Sequence, residues 1–348
     1  MSDSTTHELA LLGHKLEVSA VSRETADAVS ITFEIPAELD ITFSHRAGQF
    51  ITVAVPSERV PHVARCYSLS SPPGGGTTIT VKRVEGGYAS DWLNRNVAQG
   101  ASLRVLPPSG SFTVPDSSAD ILLAAAGSGI TPVMSILRWM LQSGDGRVAL
   151  FYANRDREST IFADELDRLA HEHPDRLSVS HWFEDGRGLP TAEALAQWAD
   201  DHHDGDVWTC GPAPFMEVVA SAVTPNRRLH REEYRSLTTD PFAPEPSLSD
   251  TGEPGDEETA DVEVELDGET HHLAWPRSKN LVEVLLEHGI QAPHACREGW
   301  CGSCTAHLDK GEVTMTTSEG LDPDDESDGY VLGCQALPVT DNLKVTFD

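Results

Sequence analysis

Nothing in the 348 residues approaches the ~18 consecutive apolar residues that a membrane-spanning helix requires, which excludes a helical membrane protein. The opening MSDSTTHELALLGHK has no basic stretch leading into an apolar core, so no secretory leader is read there and the cytoplasm is the expected location. Positive charge is scarce: 25 Lys and Arg stand against 56 Asp and Glu, a formal net charge of −31. Only 5 of those cations are Lys, a bias that reads as genome composition. A field of this sign repels nucleic acid and anionic membranes and attracts a basic protein surface. Neither nucleic acid nor membrane is therefore an expected partner. The imbalance is steepest at one end, where Asp240–Asp348 carries 25 acidic and 5 basic residues. Internal repeats and heptads are also missing.

Cysteine is sparse too, with six residues, yet four of them fall in the last 53 positions. In a cytosolic chain such clustering favours metal binding or catalysis over disulfides. The length predicts two or three domains at roughly 100–200 residues each. Residues 12–115 read as short alternating strands with Pro and Gly punctuation: 16–21, 30–35, 50–55, 77–84 and 102–106. One short helix at 89–96 interrupts them. This predicts a small antiparallel β-barrel. Residues 116–237 alternate strand-like runs (121–126, 148–154, 177–183, 206–210, 229–234) with amphipathic stretches, the rhythm of a doubly wound parallel α/β sheet. Residues 238–260 are rich in Pro, Gly and carboxylates and read as a self-repelling linker. Residues 261–348 read as a small α+β unit: a hairpin, a helix at 281–289, a cysteine loop and further strands near 313–316, 330–332 and 343–347.

The cysteine loop is the most specific signal. Cys296, Cys301 and Cys304 have the spacing C-x4-C-x2-C, and Cys334 follows after 29 residues. This is the plant-type spacing for a 2Fe–2S cluster, in which each iron takes two thiolates. Gly299 and Gly302 let the backbone turn close to the sulfurs. Zinc is the competing use, but zinc sites usually present two short cysteine pairs and this chain has one.

Two further motifs precede it. ARCYSLSS at 64–71 is followed by VKRVEGGYASDWL at 81–93, and ILLAAAGSGITPVMSIL runs from a strand into a helix. The latter has Gly127 and Gly129, with Pro132 where a third glycine would stand; Pro132 suits the first turn of a helix whose N-terminus attracts phosphate. Together these resemble the ferredoxin–NADP reductase-like flavoprotein reductases that carry a C-terminal plant-type (β-grasp) ferredoxin domain.

That resemblance implies an FAD-binding barrel. Arg65 would face the pyrophosphate, Tyr67 would pack on the flavin or its ribityl chain, and Ser68 would bond near flavin N5. Val81, Lys82, Gly87 and Ser90 would complete the site. It implies an NADH or NADPH site at Gly127, Gly129, Thr131, Pro132, Cys210, Gly211 and Pro212. Cys210 would lie beside the nicotinamide, Glu232 near the flavin, and Tyr234 over one ring face; the neighbouring Glu233 leaves that register open. Ser68, Cys210 and Glu232 are the candidate catalytic residues. A small buried residue closing a strand remains the plainer reading of Cys210. After the second strand, Arg155 and Arg157 would suit a 2′-phosphate, whereas Asp156 would receive a 2′-hydroxyl; the balance leans to NADH.

Nicotinamide gives up a hydride, two electrons at once, while a cluster of this type accepts one, so a flavin is the required converter. Plant-type clusters lie near about −400 mV, so the protein must tune its cluster upward or accept an uphill step. A flexibly tethered cluster domain would swing between flavin and partner, and the acidic run 322–329 is a candidate docking face or a solvated loop. The domain order matches the branch serving Rieske-type and diiron oxygenases. Stretches such as AAAGSGITPVMSI, YANRDRES and LTTDPFA resemble reductases of steroid-ring oxygenases. A reductase of another oxygenase system (epoxidase-type or aromatic-ring hydroxylase) and a slowly reduced redox sensor are the alternatives.

Overall fold

The computed structural model describes residues 12–223, 227–243, 258–321 and 323–347. They form two compact units, one from His14 to Ser236 and the other from Leu237 onward together with Leu12 and Gly13. Among the described residues no helix is long and apolar enough to cross a membrane.

The first unit opens with β1 (His14–Thr25), β2 (Ala28–Glu34), β3 (Phe50–Pro56), β4 (His62–Ser68), β5 (Thr77–Lys82), α1 (Tyr88–Asn96) and β6 (Ser102–Val105). The strands are antiparallel in the order β4-β3-β6-β1-β2-β5, and a bridge between Leu69 and Ile79 joins the two outer edges. The sheet thereby closes into the expected barrel. Period-two alternation fills it: Leu16, Val18, Val29, Ile31, Phe33, Ile51, Val53 and Val55 share one core. Each such side chain contributes about 1.5–3 kcal/mol. The β4 strand was not legible as an alternating run because only Ala64 and Ser68 in it are fully buried.

The same unit continues with β7 (Ile121–Ala126), α2 (Ile130–Ser143), β8 (Val148–Asn154), α3 (Ala163–Glu172), β9 (Leu177–Phe183), α4 (Glu184–Arg187), α5 (Ala192–Asp200), β10 (Val207–Cys210), α6 (Ala213–Ala222) and β11 (Leu229–Glu232). The strands are parallel in the order β11-β10-β7-β8-β9. Every residue of β7 and β8 is buried, as a strand covered on both faces requires. The chain reverses its direction of travel across the sheet at β7, which places a crevice at the C-terminal ends of β7 and β10. Barrel and sheet are locked together by α2. The Ser135 hydroxyl donates to the Ser71 carbonyl at 2.6 Å, and the Arg138 guanidinium reaches the Ser70 carbonyl while pairing with both oxygens of Glu165.

The second unit contains β12 (Thr259–Leu266), β13 (Glu269–Pro276), α7 (Leu281–Glu287), β14 (Thr305–Lys310), β15 (Val313–Met315), α8 (Pro323–Ser327), β16 (Tyr330–Leu332), β17 (Ala336–Pro338) and β18 (Asn342–Thr346). Asp267 and Gly268, both at positive φ, turn the β12–β13 hairpin as an Asp-Gly pair should. The main sheet runs β13-β12-β18-β14-β16, with β12 and β18 parallel. The sheet and α7 share a core that includes Cys304 and Cys334, so these two thiols are built into the hydrophobic interior.

The predicted linker begins later than its composition implied. Asp240 Oδ1 accepts the Phe242 N–H at 3.0 Å, turning the chain so that Phe242 is fully buried, and the Phe242 carbonyl accepts the Leu12 N–H at 2.9 Å. Residues 237–243 therefore belong to the second unit. Residues 244–257, and Asp322 of the acidic run, lie outside the described residues.

The start of α7 is set by a reciprocal cap, with Asn280 Oδ1 accepting the Glu283 N–H and the Glu283 carboxylate accepting the Asn280 N–H, each at 3.0 Å. Asn280→Ala is expected to cost about 0.5–2 kcal/mol. Calorimetry of the full chain should show a lower unfolding midpoint for the second unit, with that of the first unchanged.

Candidate active site and thiol cluster

In the first unit, β4 walls a cleft of 270 Å³ that the barrel shares with the parallel sheet. Arg65, Tyr67 and Ser68 line it from β4, Val81 and Lys82 from β5, Gly87 and Ser90 from the start of α1, and Thr131 and Tyr234 from the sheet. Sequence-distant candidates are thus brought to one place. Val81 is simultaneously a member of the barrel core, at 1% exposure. Cys66 also borders the cleft, and its Sγ lies 3.5 Å from Thr52 Oγ1 on β3.

The Ser90 hydroxyl is committed within its own turn, accepting the Val84 N–H at 3.0 Å and donating to the Gly87 carbonyl at 3.4 Å. The turn it holds starts α1 at Gly87 with no side-chain cap, which leaves backbone N–H groups as the anion donors of this corner. Tyr88, which sequence reasoning passed over, lines the same cleft with its ring 45% exposed and its hydroxyl donating to the Pro56 carbonyl at 2.8 Å.

The crevice of the parallel sheet opens beside this cleft. Gly127 has φ +54, and a Cβ placed on it would meet nothing within 4 Å, so it serves the turn and leaves open space. Gly129 has a different reason: a Cβ there would stand 2.0 Å from the Cys210 carbonyl oxygen. The second glycine, which the resemblance places in the nucleotide site, therefore permits contact between the β7 and β10 ends. Pro132, in the first turn of α2, needs no N–H partner.

A polar hub joins the two clefts. The hydroxyls of Thr131 and Tyr234 lie 2.8 Å apart and both reach the Ser128 carbonyl at 3.1 Å. The Tyr234 hydroxyl also interacts with the Cys210 thiol and the Ser68 hydroxyl. Its ring is 48% exposed while its tip is enclosed, and burial raises the phenol's pKa. Ser68 Oγ is buried without a well-formed hydrogen bond. A buried hydroxyl beside the Tyr234 phenol and facing a cleft fits a polar ring edge such as that of a flavin. Cys210 is fully buried; burial first, then the charge of Glu232, pushes its thiol up, so it is a small neutral wall rather than a thiolate. Glu232 is the β11 register partner of Cys210, whereas Glu233 is exposed and pairs with Arg235.

In the second unit Cys296, Cys301, Cys304 and Cys334 are all buried and reduced. Cys296 interacts with Cys301 and Cys334, and Cys304 with Cys334, so the four sulfurs converge. Those neighbours draw the Cys296 thiol down and drive Cys301 and Cys334 up. As thiolates, four sulfurs packed together would require positive countercharge, which iron would supply. Backbone N–H groups of Glu298 and Cys334 point at Cys296 Sγ and Cys304 Sγ (3.3 and 3.4 Å), and Gln335 Nε2 donates to Cys334 Sγ at 3.4 Å. Gly299, at φ +80, leaves room for Thr317 and Gln335. Glu298 and Gln335 were not singled out from sequence, since neither is a ligand and only the folded loop reveals their partners.

Three family matches tile the chain in order: an oxidoreductase FAD-binding domain over 15–114, an oxidoreductase NAD-binding domain over 123–221, and a 2Fe-2S iron-sulfur cluster binding domain over 264–339. Zinc, the competing use of the thiols, thereby falls away. The chain is 50% identical to the 3-ketosteroid-9-alpha-monooxygenase, ferredoxin reductase component, of Rhodococcus rhodochrous, covering 95% of this chain and 96% of that one. It is 30% identical to a component of the 1,2-phenylacetyl-CoA epoxidase of Escherichia coli strain K12, covering 96% and 98%. Among solved structures, phthalate dioxygenase reductase shares the fold with a TM-score of 0.54 at 22% identity, covering 96% of this chain and 98% of that one.

Burial, and secondarily the charge of Glu233, lifts the Glu232 carboxyl to about 8. A carboxyl raised on folding stabilises most below its unfolded value and loses that contribution as pH rises through the folded one. In the cofactor-free protein, Glu232→Gln is expected to gain thermal stability relative to the parent chain between about pH 4.5 and 8. A difference in midpoint that stays constant across that window would show the carboxyl to be ionised throughout.

Proposed function

The chain belongs to the FAD-, NAD- and 2Fe–2S-dependent oxidoreductases that act as ferredoxin reductase components of monooxygenases, and from that premise we propose that it passes electrons from NADH to a Rieske-type oxygenase acting on a 3-ketosteroid. The observation that carries this reading is the Thr131–Tyr234–Ser68–Cys210 hub, which joins the flavin cleft and the nucleotide crevice in one unit of a chain that also holds four converging thiols. The bound cofactors supply the conversion of a two-electron hydride into single electrons.

The side chains do the positioning. Arg65 and the first-turn N–H groups of α1 would hold the FAD pyrophosphate, Tyr67 would pack along the flavin, and the Ser68 hydroxyl would meet the ring edge. Lys82 and the Val81 strand edge would border the same cofactor. Gly127 and Thr131, at the start of α2, would receive the nucleotide phosphates. Cys210, Gly211 and Pro212 would form the neutral floor under the nicotinamide, with Glu232 beside it and Tyr234 as the cover over the flavin. Cys296, Cys301, Cys304 and Cys334 would ligate the irons.

The pairing of the arginines after β8 supports reading NADH as the donor. Arg157 reaches Asp167 at 2.5 Å and Arg155 lies 3.7 Å from Asp27, so both already have carboxylate partners. Asp156 adds a negative charge that a 2′-phosphate would meet. The steroid oxygenase is favoured over the epoxidase partner because the resemblance is 50% against 30% at equal coverage.

Anaerobic titration with NADH tests the electron chain: both flavin and iron–sulfur bands should bleach, and a paired oxygenase should then turn over a 3-ketosteroid. Slow or partial bleaching would favour the redox sensor, and coupling only to an acyl-CoA epoxidase would replace the steroid assignment. Asp156→Asn is expected to raise kcat/KM for NADPH roughly tenfold while leaving NADH little changed. Equal effects on both nucleotides would remove Asp156 from the specificity argument.

A further inference from the structure

The segment that enters the second unit, Thr238 to Ala243, is fastened to the loop bearing Cys296, Cys301 and Cys304 chiefly by the Glu298 side chain. Glu298 Oε1 accepts the N–H groups of Thr238 and Thr239 at 2.6 and 2.8 Å and lies 2.8 and 3.1 Å from their hydroxyls. Glu298 Oε2 accepts the Trp300 indole N–H at 3.3 Å, and the Glu298 N–H itself points at Cys296 Sγ. Thr239 Oγ1 also lies 3.1 Å from the Cys296 carbonyl, and Arg297 reaches the Ala243 carbonyl at 3.5 Å. Phe242, fully buried, anchors the far end of the segment.

So many donors on one carboxylate exceed what a loop needs to keep its shape. The residue between Arg297 and Gly299, both at positive φ, is bound on its backbone side to a cluster ligand and on its side-chain side to the incoming chain. Charge-assisted bonds of this kind are the strong ones. Groups that hold a ligand from behind tune a metal centre as well as orient it.

We propose that Glu298 is a positioning residue for the 2Fe–2S cluster: it clasps Thr238–Ala243 over the cysteine loop, shielding the cluster and lowering its reduction potential. Two physical effects follow. Reduction adds one negative charge to the cluster, and a nearby carboxylate opposes it, so removing that charge raises the potential. Removing the acceptor altogether also releases the segment and opens the loop to water and chelators.

The test uses the full-length holoprotein and three variants, Glu298→Gln, Glu298→Ala and Thr238→Ala. Readouts are the cluster midpoint potential by spectroelectrochemistry and the rate of cluster bleaching in a chelator. Glu298→Gln keeps an acceptor and should shift the potential upward with bleaching within about twofold of the parent. Glu298→Ala should bleach at least about tenfold faster, as loss of bonds to a charged acceptor implies, and Thr238→Ala should fall between. Reduction of the flavin by NADH should be unchanged in all three. An unshifted potential in Glu298→Gln overturns the proposal, even where Glu298→Ala bleaches quickly, because a merely structural contact would do the same. Parental bleaching in Glu298→Ala overturns it as well. The parent's iron–sulfur absorption checks separately the cluster on which the inference rests.

Discussion

The close approach of two backbones underlies the arrangement of the first unit. Gly129 lies so near Cys210 that even a methyl group would displace the end of β10. That contact brings the loop after β7 against the loop after β10, and with it the start of α2 against the end of β11. Only then do Thr131 and Tyr234 meet, and only through Tyr234 do Cys210 and Ser68 share a polar neighbour. The barrel is held to this junction from the other side by Ser135 and Arg138 of α2, which bind the carbonyls of Ser71 and Ser70 just beyond β4. One helix thus fixes both the nucleotide loop and the strand that carries the flavin motif.

The two halves of the chemistry use opposite electrostatic strategies. Around the cleft of the first unit three groups are held toward their neutral forms: a buried thiol, a phenol whose hydroxyl is enclosed, and a carboxyl with a raised pKa. A neutral, water-poor lining favours transfer of hydride between two aromatic rings without competing protonation. In the second unit four sulfurs converge, and N–H groups from the backbone and Gln335 are aimed at three of them. There the protein arranges to carry charge, and the hydrophobic core around Cys304 and Cys334 holds that arrangement rigid.

Much of this was legible because it depends on short-range spacing. The C-x4-C-x2-C run predicts its loop, the 3.6- and 2-residue periods predict the layers, and Gly127–Pro132 predicts the turn from a strand into a helix. What escaped depends on contacts between distant segments. The purpose of Gly129 cannot be seen without Cys210, eighty-one positions away in sequence. Ser90 reads from sequence as part of the flavin site, and only the fold shows its hydroxyl holding the Val84 N–H. Composition misplaced the linker because a single Phe among Pro, Asp and Thr looks exposed, whereas an Asp240 turn buries it. The Glu298 cluster of bonds joins two segments sixty residues apart and has no local signature.

The early start of the second unit at Leu237 has a consequence for how such proteins diversify. Consider a recombination event that joins this cluster module to another reductase within the acidic, Pro- and Gly-rich stretch after Ala243. Cut there, the module would arrive without the seven residues that cover its own cysteine loop. Only a crossover before Leu237, within the few residues after Tyr234, transfers an intact electron carrier.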